Sequence, residues 1–203
     1  MPYFQPKRDF IEWLKQQARS ISWTAIISGP FFDQALKNTF HGYQPPNEFY
    51  LLDEGDTPYG TTNLHTIGHA LFKILSDPKH FGDSANRYIN IHSHMTTQQE
   101  VLAALEKASG QPFKIHRLSS DTFYDNSLRR FHNVKPGEPK ILLAERDIIQ
   151  CITYGKGKFK GLGDPRDEND WTEKLGLPAE DLLDDVKAVL DGIRPERDWN
   201  PRE

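Results

Sequence analysis

The sequence predicts an α/β fold. Segments with the apolar spacing of amphipathic helices alternate with short runs of β-branched and aromatic residues, which is the order that places helices beside a parallel sheet. Residues 23–28 (WTAIIS) are mostly apolar, as in a strand that is buried on both faces. Thr97 and Glu100 match a capping box, which marks the start of a helix. Together these patterns indicate a sheet with helices packed against it.

The first part of the chain is predicted to be a helix followed by a buried strand. Residues 7–20 form the helix, and Gly29 and Pro30 end the strand over 23–28. Residues 31–38 form a short helix or a structured loop, and residues 41–60, rich in glycine and proline, form a loop with one strand at 49–52. The first helix turns four side chains to one face: Phe10, Ile11, Leu14 and Ala18.

The middle of the chain continues the alternation. Asn63 can cap a helix that runs to residue 76 and stops before Pro78, and a strand follows at 87–91. The helix opened by the capping box ends at Gly110, a residue type that readily adopts the left-handed C-terminal cap. The helix after Asn63 is expected to turn four apolar side chains inward: Ile67, Leu71, Ile74 and Leu75.

The last part of the chain is predicted to be mainly helical. A strand at 113–118 precedes helices at 120–130 and 141–154, and a glycine-rich charged loop spans 155–170. A final helix starts at Pro178, and residues 194–203 form a frayed tail. On that helix the apolar residues Leu182, Leu183, Val186, Val189 and Leu190 point inward, and Asp181, Asp184 and Asp185 point outward.

Composition excludes several classes of protein. The chain has 203 residues, a formal net charge of −4 and one cysteine. The negative charge disfavours a general nucleic-acid binder, and the lone Cys151 excludes an intramolecular disulfide. The sequence has no apolar run of about 18 residues that could span a membrane. The first residues lack an apolar signal region, so we expect a cytoplasmic protein.

The usual catalytic and ligand-binding motifs are weak or missing. The glycine cluster at 155–163 does not fit the Gly-x-Gly-x-x-Gly dinucleotide fingerprint, because Lys160 stands at the third glycine position, and it is interpreted as a mobile basic loop. The pairs His65/His69 and His92/His94 are interpreted as structural residues, so no metal site is expected. No Gly-x-Ser-x-Gly motif is present, and Cys151 is expected to lie in the core.

Lys7 is the best candidate for a catalytic side chain. Tyr3 and Lys7 have the spacing of an acid and its proton relay on one helix. Pro6 pushes the preceding residue out of helical geometry, which moves Tyr3 away from the face of Lys7. Lys7 alone, on a helix just before the buried strand, remains the candidate. The alternative is an ordinary lysine that faces solvent.

Four segments, in order, resemble the NmrA-like family of atypical short-chain dehydrogenase/reductases, which includes fungal isoflavone-reductase-like proteins. They lie within residues 7–165: Lys7-Arg8 with 23–33 (WTAIISGPFFD), 61–68 (TTNLHTIG), 86–89 (NRYI) and 97–110, which ends in LEKASG. The resemblance implies a Rossmann fold with a smaller substrate-binding region. It also implies binding of NADP(H) or NAD(H) and hydride transfer to a small planar or conjugated substrate.

The resemblance also implies roles for individual residues. Lys7 stands where reductase members carry their catalytic lysine. Gly29, Pro30 and Phe31 match the turn that lies against the nicotinamide. Phe31, Phe32 and Leu36 are expected to line the substrate pocket. Residues 1–193 would form a partial NmrA-like domain, with 1–40 completing the Rossmann sheet and 41–193 forming mainly the substrate region.

The same resemblance predicts that the family's N-terminal βαβ units, with the glycine turn that receives the pyrophosphate, are missing here. The chain would then be a truncated relative or a piece of a longer product, with little cofactor affinity by itself. The strand at 23–28 would keep an unpaired edge, which favours homodimer formation. Other family members are non-catalytic redox-sensing or regulatory modules, and that function remains the alternative.

Overall fold

A computed structural model describes residues 4–17, 20–135, 138, 140–159, 163–167 and 169–194. These residues form alternating helices and strands that cluster into three small sheets. In chain order the elements are α1 (Gln5–Gln16), β1 (Thr24–Ile27), α2 (Phe32–Lys37), β2 (Tyr43–Gln44), β3 (Glu48–Leu52), β4 (Tyr59–Thr61), α3 (Leu64–Ser76), α4 (Pro78–Asp83), β5 (Arg87–Asn90), β6 (His94–Thr96), α5 (Gln98–Ser109), β7 (Lys114–Leu118), α6 (Ser120–Asn133), α7 (Lys140–Tyr154) and α8 (Leu182–Leu190).

Strand pairing confirms the predicted α/β class. β1 and β5 are parallel, with Thr24 opposite Arg87. In the second sheet β3 pairs in parallel with β7 and antiparallel with β2. β4 and β6 form an antiparallel pair. Helices connect the parallel strands, as crossover geometry requires.

The largest core cluster lies where α2, α5 and α8 pack on β3. Its most deeply buried members include Phe32, Leu36, Phe49, Val101 and Leu105. A second cluster joins α3 to β5 and to the segment around Trp171. A third surrounds Tyr59 and Tyr154, and includes Cys151.

Residues 41–60 contain three strands, whereas the sequence predicted one. β2 and β4 are only two and three residues long, so neither carries a clear alternation of its own. They exist because β3 and β6 supply backbone partners for them. Pro78, predicted only to end a helix, occupies the first turn of α4, where its missing N–H costs nothing.

Two predicted burial patterns are wrong. Ile27 in β1 is 45% exposed, because β1 pairs with a strand on only one edge among the described residues. On α3, Leu71 and Leu75 face solvent, and Ala70 and Ile74 face the core. Ile67 and Ile74 pack inward as predicted, whereas Leu71, Phe72 and Leu75 form an exposed apolar strip on the outer side of the helix.

The predicted caps are correct for α5 and wrong for α3. Thr97 and Glu100 form the reciprocal capping box, and Gly110 adopts the left-handed conformation at φ 66°. Asn63 makes no capping hydrogen bond. The backbone N–H of Leu64 instead donates to Asp33 Oδ2 at 3.2 Å, so a carboxylate from α2 stabilises the start of α3.

α8 turns Val186 and Val189 into the core as predicted, but it differs from its prediction in its start and in the placement of Asp185 and Leu190, of which Leu190 is exposed. It begins at Leu182, because the side chain of Asp181 accepts the N–H groups of Leu183 and Asp184. Asp185, predicted to face solvent, is only 6% exposed. Its partners lie on other elements of the fold. The predicted tail falls outside the described residues from position 195 onwards.

The described part of the loop after α7 contacts the rest of the fold through ion pairs and a hydrogen bond, and its mobility stays a prediction. Lys156 Nζ lies 2.6 Å from a carboxylate oxygen of Asp56, and Lys158 Nζ lies 2.6 Å from one of Asp125. The N–H of Lys156 also donates to Asp53 at 2.8 Å. Residues 160–162 of the predicted glycine cluster lie outside the described residues.

No helix in the described parts of the chain combines the length and the apolar character needed to cross a bilayer.

The position of the main core can be tested with two leucines. Leu105→Ala removes a completely buried side chain and should lower the free energy of unfolding by about 2–5 kcal/mol. Leu71→Ala, at a 49% exposed position, should change it by less than about 0.5 kcal/mol. Urea denaturation followed by circular dichroism measures both. Equal losses for the two variants would contradict this core.

Candidate functional site

The candidate site is the turn that follows β1, residues 28–31. Because β1 and β5 are parallel, both strands end at the same edge, and ligands of open parallel α/β sheets bind outside such carboxyl ends. Three alternate residues here are exposed, namely Ile27, Gly29 and Phe31. They give the turn an apolar outer surface around a glycine.

Gly29 is required by the geometry of the turn. Its φ is +61°, a conformation that side chains rarely adopt, and a Cβ at this position would lie 2.3 Å from the carbonyl oxygen of Gly60. The close neighbour is backbone and cannot rotate away. The turn therefore packs directly onto the end of β4.

The segment after β4 holds the other side of the turn. The carbonyl oxygen of Pro30 accepts from Thr61 Oγ1 at 2.7 Å and from the N–H of Thr62 at 3.1 Å. The Thr62 hydroxyl lies 2.6 Å from the carbonyl oxygen of Ser28 and 3.1 Å from that of Ile91. Thr62 thus links the residues that follow β1 and β5.

The residues predicted to contact cofactor and substrate have different environments. Gly29 and Phe31 are exposed, and Phe31 is 40% accessible. Pro30 is half-buried, with its carbonyl bound as described above. Phe32 and Leu36 are completely buried in the main core. Of the three predicted substrate-lining residues, Phe31 alone is exposed, and the burial of Phe32 and Leu36 favours a packing role for them. Their assignments to a ligand stay predictions.

Lys7 lies on α1, an exposed helix. None of the described residues of α1 is buried. Lys15, two turns further along, places its Nζ 5.8 Å from the ring centre of Tyr88 on β5, and Lys7 Nζ lies 5.8 Å from the Phe4 ring. The contact between Lys15 and Tyr88 places α1 beside β5, and the position of Lys7 relative to the turn follows from that packing. Its catalytic role also stays a prediction.

A buried polar network lies behind the turn. Asn63, which follows Thr62, is completely buried, and its Nδ2 donates to Asp185 Oδ2 at 2.6 Å and to Glu180 Oε1 at 3.0 Å. His94 Nε2 donates to the same Asp185 oxygen at 2.8 Å. Arg194 Nη1 lies 2.5 Å from the other oxygen of Asp185. The network ties α8 to the starts of α3 and β6.

The acids of this network have altered pKa values. Burial by itself raises the pKa of Asp185, but hydrogen bonds from His94 and Asn63, with the charges of His94 and Arg194, outweigh it and leave the pKa below its ordinary value. Glu180 behaves alike: burial raises its pKa, and hydrogen bonds from Ser93, Thr66 and Asn63 produce a net decrease. Both groups are held as carboxylates.

Asp33 has the opposite shift. Burial raises the pKa of this carboxyl above its ordinary value, and the N–H groups of Gln34 and Leu64 compensate only in part. It lies on α2, just after the turn, and its oxygen caps α3. The polar layer behind the turn thus extends from α2 through α3 to α8.

Sequence reasoning missed this network. His94 is predicted to be structural, and its buried hydrogen bond to Asp185 is compatible with that role, but Asp185 is predicted to lie on the outer face of α8. The pair is separated by 91 residues in the chain, and Asn63 and Asp185 by 122. The only local signal is a histidine next to a threonine-rich strand end, which does not identify a partner.

The other chemical candidates lie in contacts within the protein. His65 Nε2 pairs with Glu180 at 2.8 Å. Within the described ranges no group of three histidine, cysteine or acidic side chains is arranged to hold a metal ion. Burial raises the pKa of the Cys151 thiol to about 12, so the thiolate nucleophile is not available at neutral pH.

Comparison with known proteins finds fungal relatives that are named oxidoreductases. The chain is 30% identical over 192 residues to the oxidoreductase aprR of Aspergillus flavus, covering 93% of this chain and 60% of that protein. It is 28% identical over 179 residues to the oxidoreductase poxI of Penicillium oxalicum, covering 87% and 54%. No family model matches the chain.

Solved structures show the same fold. An isoflavone reductase superposes with a TM-score of 0.63 at 15% identity, covering 93% of this chain and 60% of that one. The resemblance to isoflavone-reductase-like, NmrA-type proteins is confirmed. The leucoanthocyanidin reductase–NADPH complex of Vitis vinifera gives 0.63 at 13% identity, covering 92% and 60%. An NADPH-dependent quinone oxidoreductase of Escherichia coli gives 0.59 at 19% identity, covering 90% and 61%. The chain spans between 54% and 61% of the length of these proteins.

The packing of the turn can be tested at Gly29. Gly29→Ala adds both backbone strain and a clash with the Gly60 carbonyl. Gly176→Ala adds strain alone, since Gly176 has a φ of +59° and open space around its Cβ position. Gly176→Ala should lower the free energy of unfolding by about 1–2 kcal/mol, and Gly29→Ala by at least ~1 kcal/mol more. Thermal or urea denaturation measures the difference, and equal effects would rule out the close contact.

The buried carboxylate can be tested by its pH dependence. The pKa of Asp185 is lowered in the folded state, so its contribution to stability is present above the ordinary value of 3.8 and is lost as pH falls through the folded pKa. Asp185→Asn should lower the free energy of unfolding on the order of 3 kcal/mol near neutral pH. That difference from wild type should shrink on acidification towards about pH 3.

The neighbouring Asp184 provides the control for this measurement. Its side chain is exposed and pairs with Lys187 at 3.1 Å. Asp184→Asn should change the free energy of unfolding by less than about 1 kcal/mol at any pH. If the cost of Asp185→Asn were the same at neutral and acidic pH, the carboxylate would not be the stabilising group.

Proposed function

We propose that this chain carries the nicotinamide-facing and substrate-facing part of an NAD(P)H-dependent oxidoreductase. The observation that carries the proposal is the Gly29 turn. It stands at the carboxyl edge of a parallel strand pair, exposes Gly29 and Phe31, and is fixed from behind by Thr61 and Thr62. The similarity to fungal proteins named oxidoreductases supports the same function.

The residues of the turn fit the flat end of such a cofactor. A glycine without a side chain lets a planar ring approach the backbone. Ile27 and Phe31 provide apolar surface on either side of Gly29, and the bound carbonyl of Pro30 keeps the backbone in place. When bound, a reduced nicotinamide supplies a hydride. The chain's own contribution is to orient the ring and to exclude water from one of its faces.

Phe31 and Lys7 would act on the substrate. The exposed ring of Phe31 offers a stacking surface for a small planar or conjugated molecule. Reduction of such a molecule by hydride leaves negative charge on it. The Lys7 ammonium would stabilise this anion or donate a proton from Nζ.

A non-catalytic redox-sensing or regulatory module is the second candidate. The observation that favours it is the exposure of α1: none of its described residues is buried, so packing does not fix Lys7 as a catalytic group usually is fixed. In that case the turn would still bind the nucleotide, and Lys7 would be dispensable. The two functions therefore predict the same binding and different effects of Lys7.

Binding at the turn can be tested by titrating the ¹⁵N-labelled 203-residue chain with NADPH, with NADH alongside. We expect weak, saturable shifts of the Gly29 and Phe31 amide signals, and little change at Gly110 on the end of α5. Phe31→Ala should weaken NADPH binding by about three- to tenfold, because the aromatic surface beside Gly29 is lost. Shifts confined to other regions, or none at all, would reject the turn as a nicotinamide site.

Catalysis can be tested with Lys7→Ala. NADPH oxidation is followed by absorbance in the presence of planar carbonyl acceptors, including quinones. For a reductase, Lys7→Ala should lower turnover by about 100-fold and leave NADPH binding unchanged. Lys73→Ala, which removes an exposed lysine from α3, is the control and should keep full turnover. No turnover by the wild-type chain that binds NADPH would favour the regulatory module, and equal turnover for wild type and Lys7→Ala would reject the catalytic role of Lys7.

A further inference from the structure

A cavity lies away from the Gly29 turn. It has a volume of about 300 Å³ and opens between the β2–β3–β7 sheet and the α6–α7 helix pair. Pockets for small organic ligands start at about this size. No residue of the turn lines it. The lining residues are Gly42, Gln44, Tyr50, Leu52, Gln98, Leu118, Phe123, Arg146, Asp147 and Gln150.

The charged side of the cavity carries one surplus positive charge. Asp147 is almost completely buried, and its two oxygens are bound by different arginines. Arg130 Nη2 lies 2.7 Å from Oδ2, and Arg146 Nη2 lies 3.0 Å from Oδ1. Two guanidinium groups thus surround one carboxylate. The net positive charge that remains favours binding of an anion with a single negative charge.

Arg146 keeps hydrogen-bonding capacity for a ligand. Its Nε and Nη2 each donate one N–H to Asp147, and Nη1 donates one to Thr39 Oγ1 at 3.3 Å. A guanidinium has five N–H groups, so two remain, one on each Nη atom. A carboxylate can accept hydrogen bonds from such guanidinium N–H groups. The bonds to Asp147 and Thr39 hold the group in place before any ligand arrives.

Two glutamines add neutral polar groups. Gln150 is about nine-tenths buried, and its Nε2 donates to the Phe40 carbonyl at 2.5 Å. Its Oε1 has no hydrogen-bond partner among the described residues, and neither end of the Gln44 side chain has one. Gln98, in contrast, uses its amide fully on the backbone of Leu52, His41 and Tyr50. Unused amide groups in a cavity wall are available to a polar ligand.

The opposite side of the cavity is apolar and includes flat groups. Leu52 is buried, and Leu118 and Phe123 pack against the same core cluster. The Tyr50 ring is stacked on His116 with centroids 4.8 Å apart, which fixes its plane. An aromatic ring of a ligand would be desolvated here, away from the charged side.

From this arrangement we propose that the cavity binds a small organic monocarboxylate with a planar apolar body. The carboxylate pairs with the free N–H groups of Arg146, and the body packs on Leu118 and Phe123. A dianionic phosphate fits less well, because one surplus charge faces it and half of the wall is apolar. The volume admits a molecule of one or two fused rings. This site does not depend on nicotinamide binding at the turn.

The test compares 2-naphthoate with 2-naphthamide, which has nearly the same shape and no charge. Isothermal titration calorimetry on the 203-residue chain measures both. We expect saturable binding of 2-naphthoate and at least about tenfold weaker binding of the amide. Equal affinities, or no saturable binding of 2-naphthoate, would overturn the proposal.

Gln44 variants locate the site without touching a buried ion pair. Gln44→Lys should tighten 2-naphthoate binding and Gln44→Glu should weaken it, each by about tenfold, because a charge at the cavity wall attracts or repels the carboxylate. Gln111→Glu makes the same change at an exposed position outside the cavity and should have no effect. Circular dichroism confirms that each variant is folded. If all three variants bind 2-naphthoate like wild type, the ligand is elsewhere and the proposal is wrong.

Arg146→Gln supplies the last check. Loss of its N–H pair should abolish the preference for naphthoate over naphthamide, while Asp147 keeps Arg130 as its ion partner. A variant that is folded and retains the preference would show that Arg146 does not bind the carboxylate.

Discussion

The buried carboxylate of Asp185 is the interaction on which the rest of the structure depends. It receives hydrogen bonds from His94 on β6, from Asn63 before α3 and from Arg194 after α8. A buried charge without partners would cost several kcal/mol, so the fold is stable only when these elements come together. α8 carries the carboxylate and also packs on α5 through the main core. Polar and apolar contacts therefore fix the same helix.

This network determines the rigidity of the candidate site. Asn63 is bound to Asp185, and the preceding residue Thr62 binds the carbonyl oxygen of Ser28 and lies next to that of Ile91. The turn after β1 is thus held by polar groups on its inner side, and its outer side remains apolar and exposed. Such a surface can hold a flat ring without first paying the entropy of ordering the backbone. The same features make the turn suitable for the nicotinamide chemistry proposed for it.

The second buried carboxylate, Asp147, has a different consequence. Asp185 is surrounded by hydrogen-bond donors from several elements of the fold. Asp147, in contrast, is bound by two arginines at the wall of a cavity. One guanidinium there still has unused N–H groups. Compensation of the buried charge stabilises the fold in both places, and in the second it also orients the guanidinium to which the proposed carboxylate would bind.

Features that depend on neighbouring residues could be predicted from the amino-acid sequence alone. The α/β alternation, the capping box of α5 and the glycine turn after β1 follow from spacing and backbone preference within a few residues. The resemblance added the position of the candidate site. The inward position of Asp185 and the outward position of Leu71 could be seen in the folded protein alone. The same holds for the start of α3, which is stabilised by Asp33 and not by Asn63. α8 has an apolar side and an acidic side, and its spacing alone does not tell which acidic side chain is buried. Burial of Asp185 depends on partners such as Asn63, which is 122 residues away in the chain.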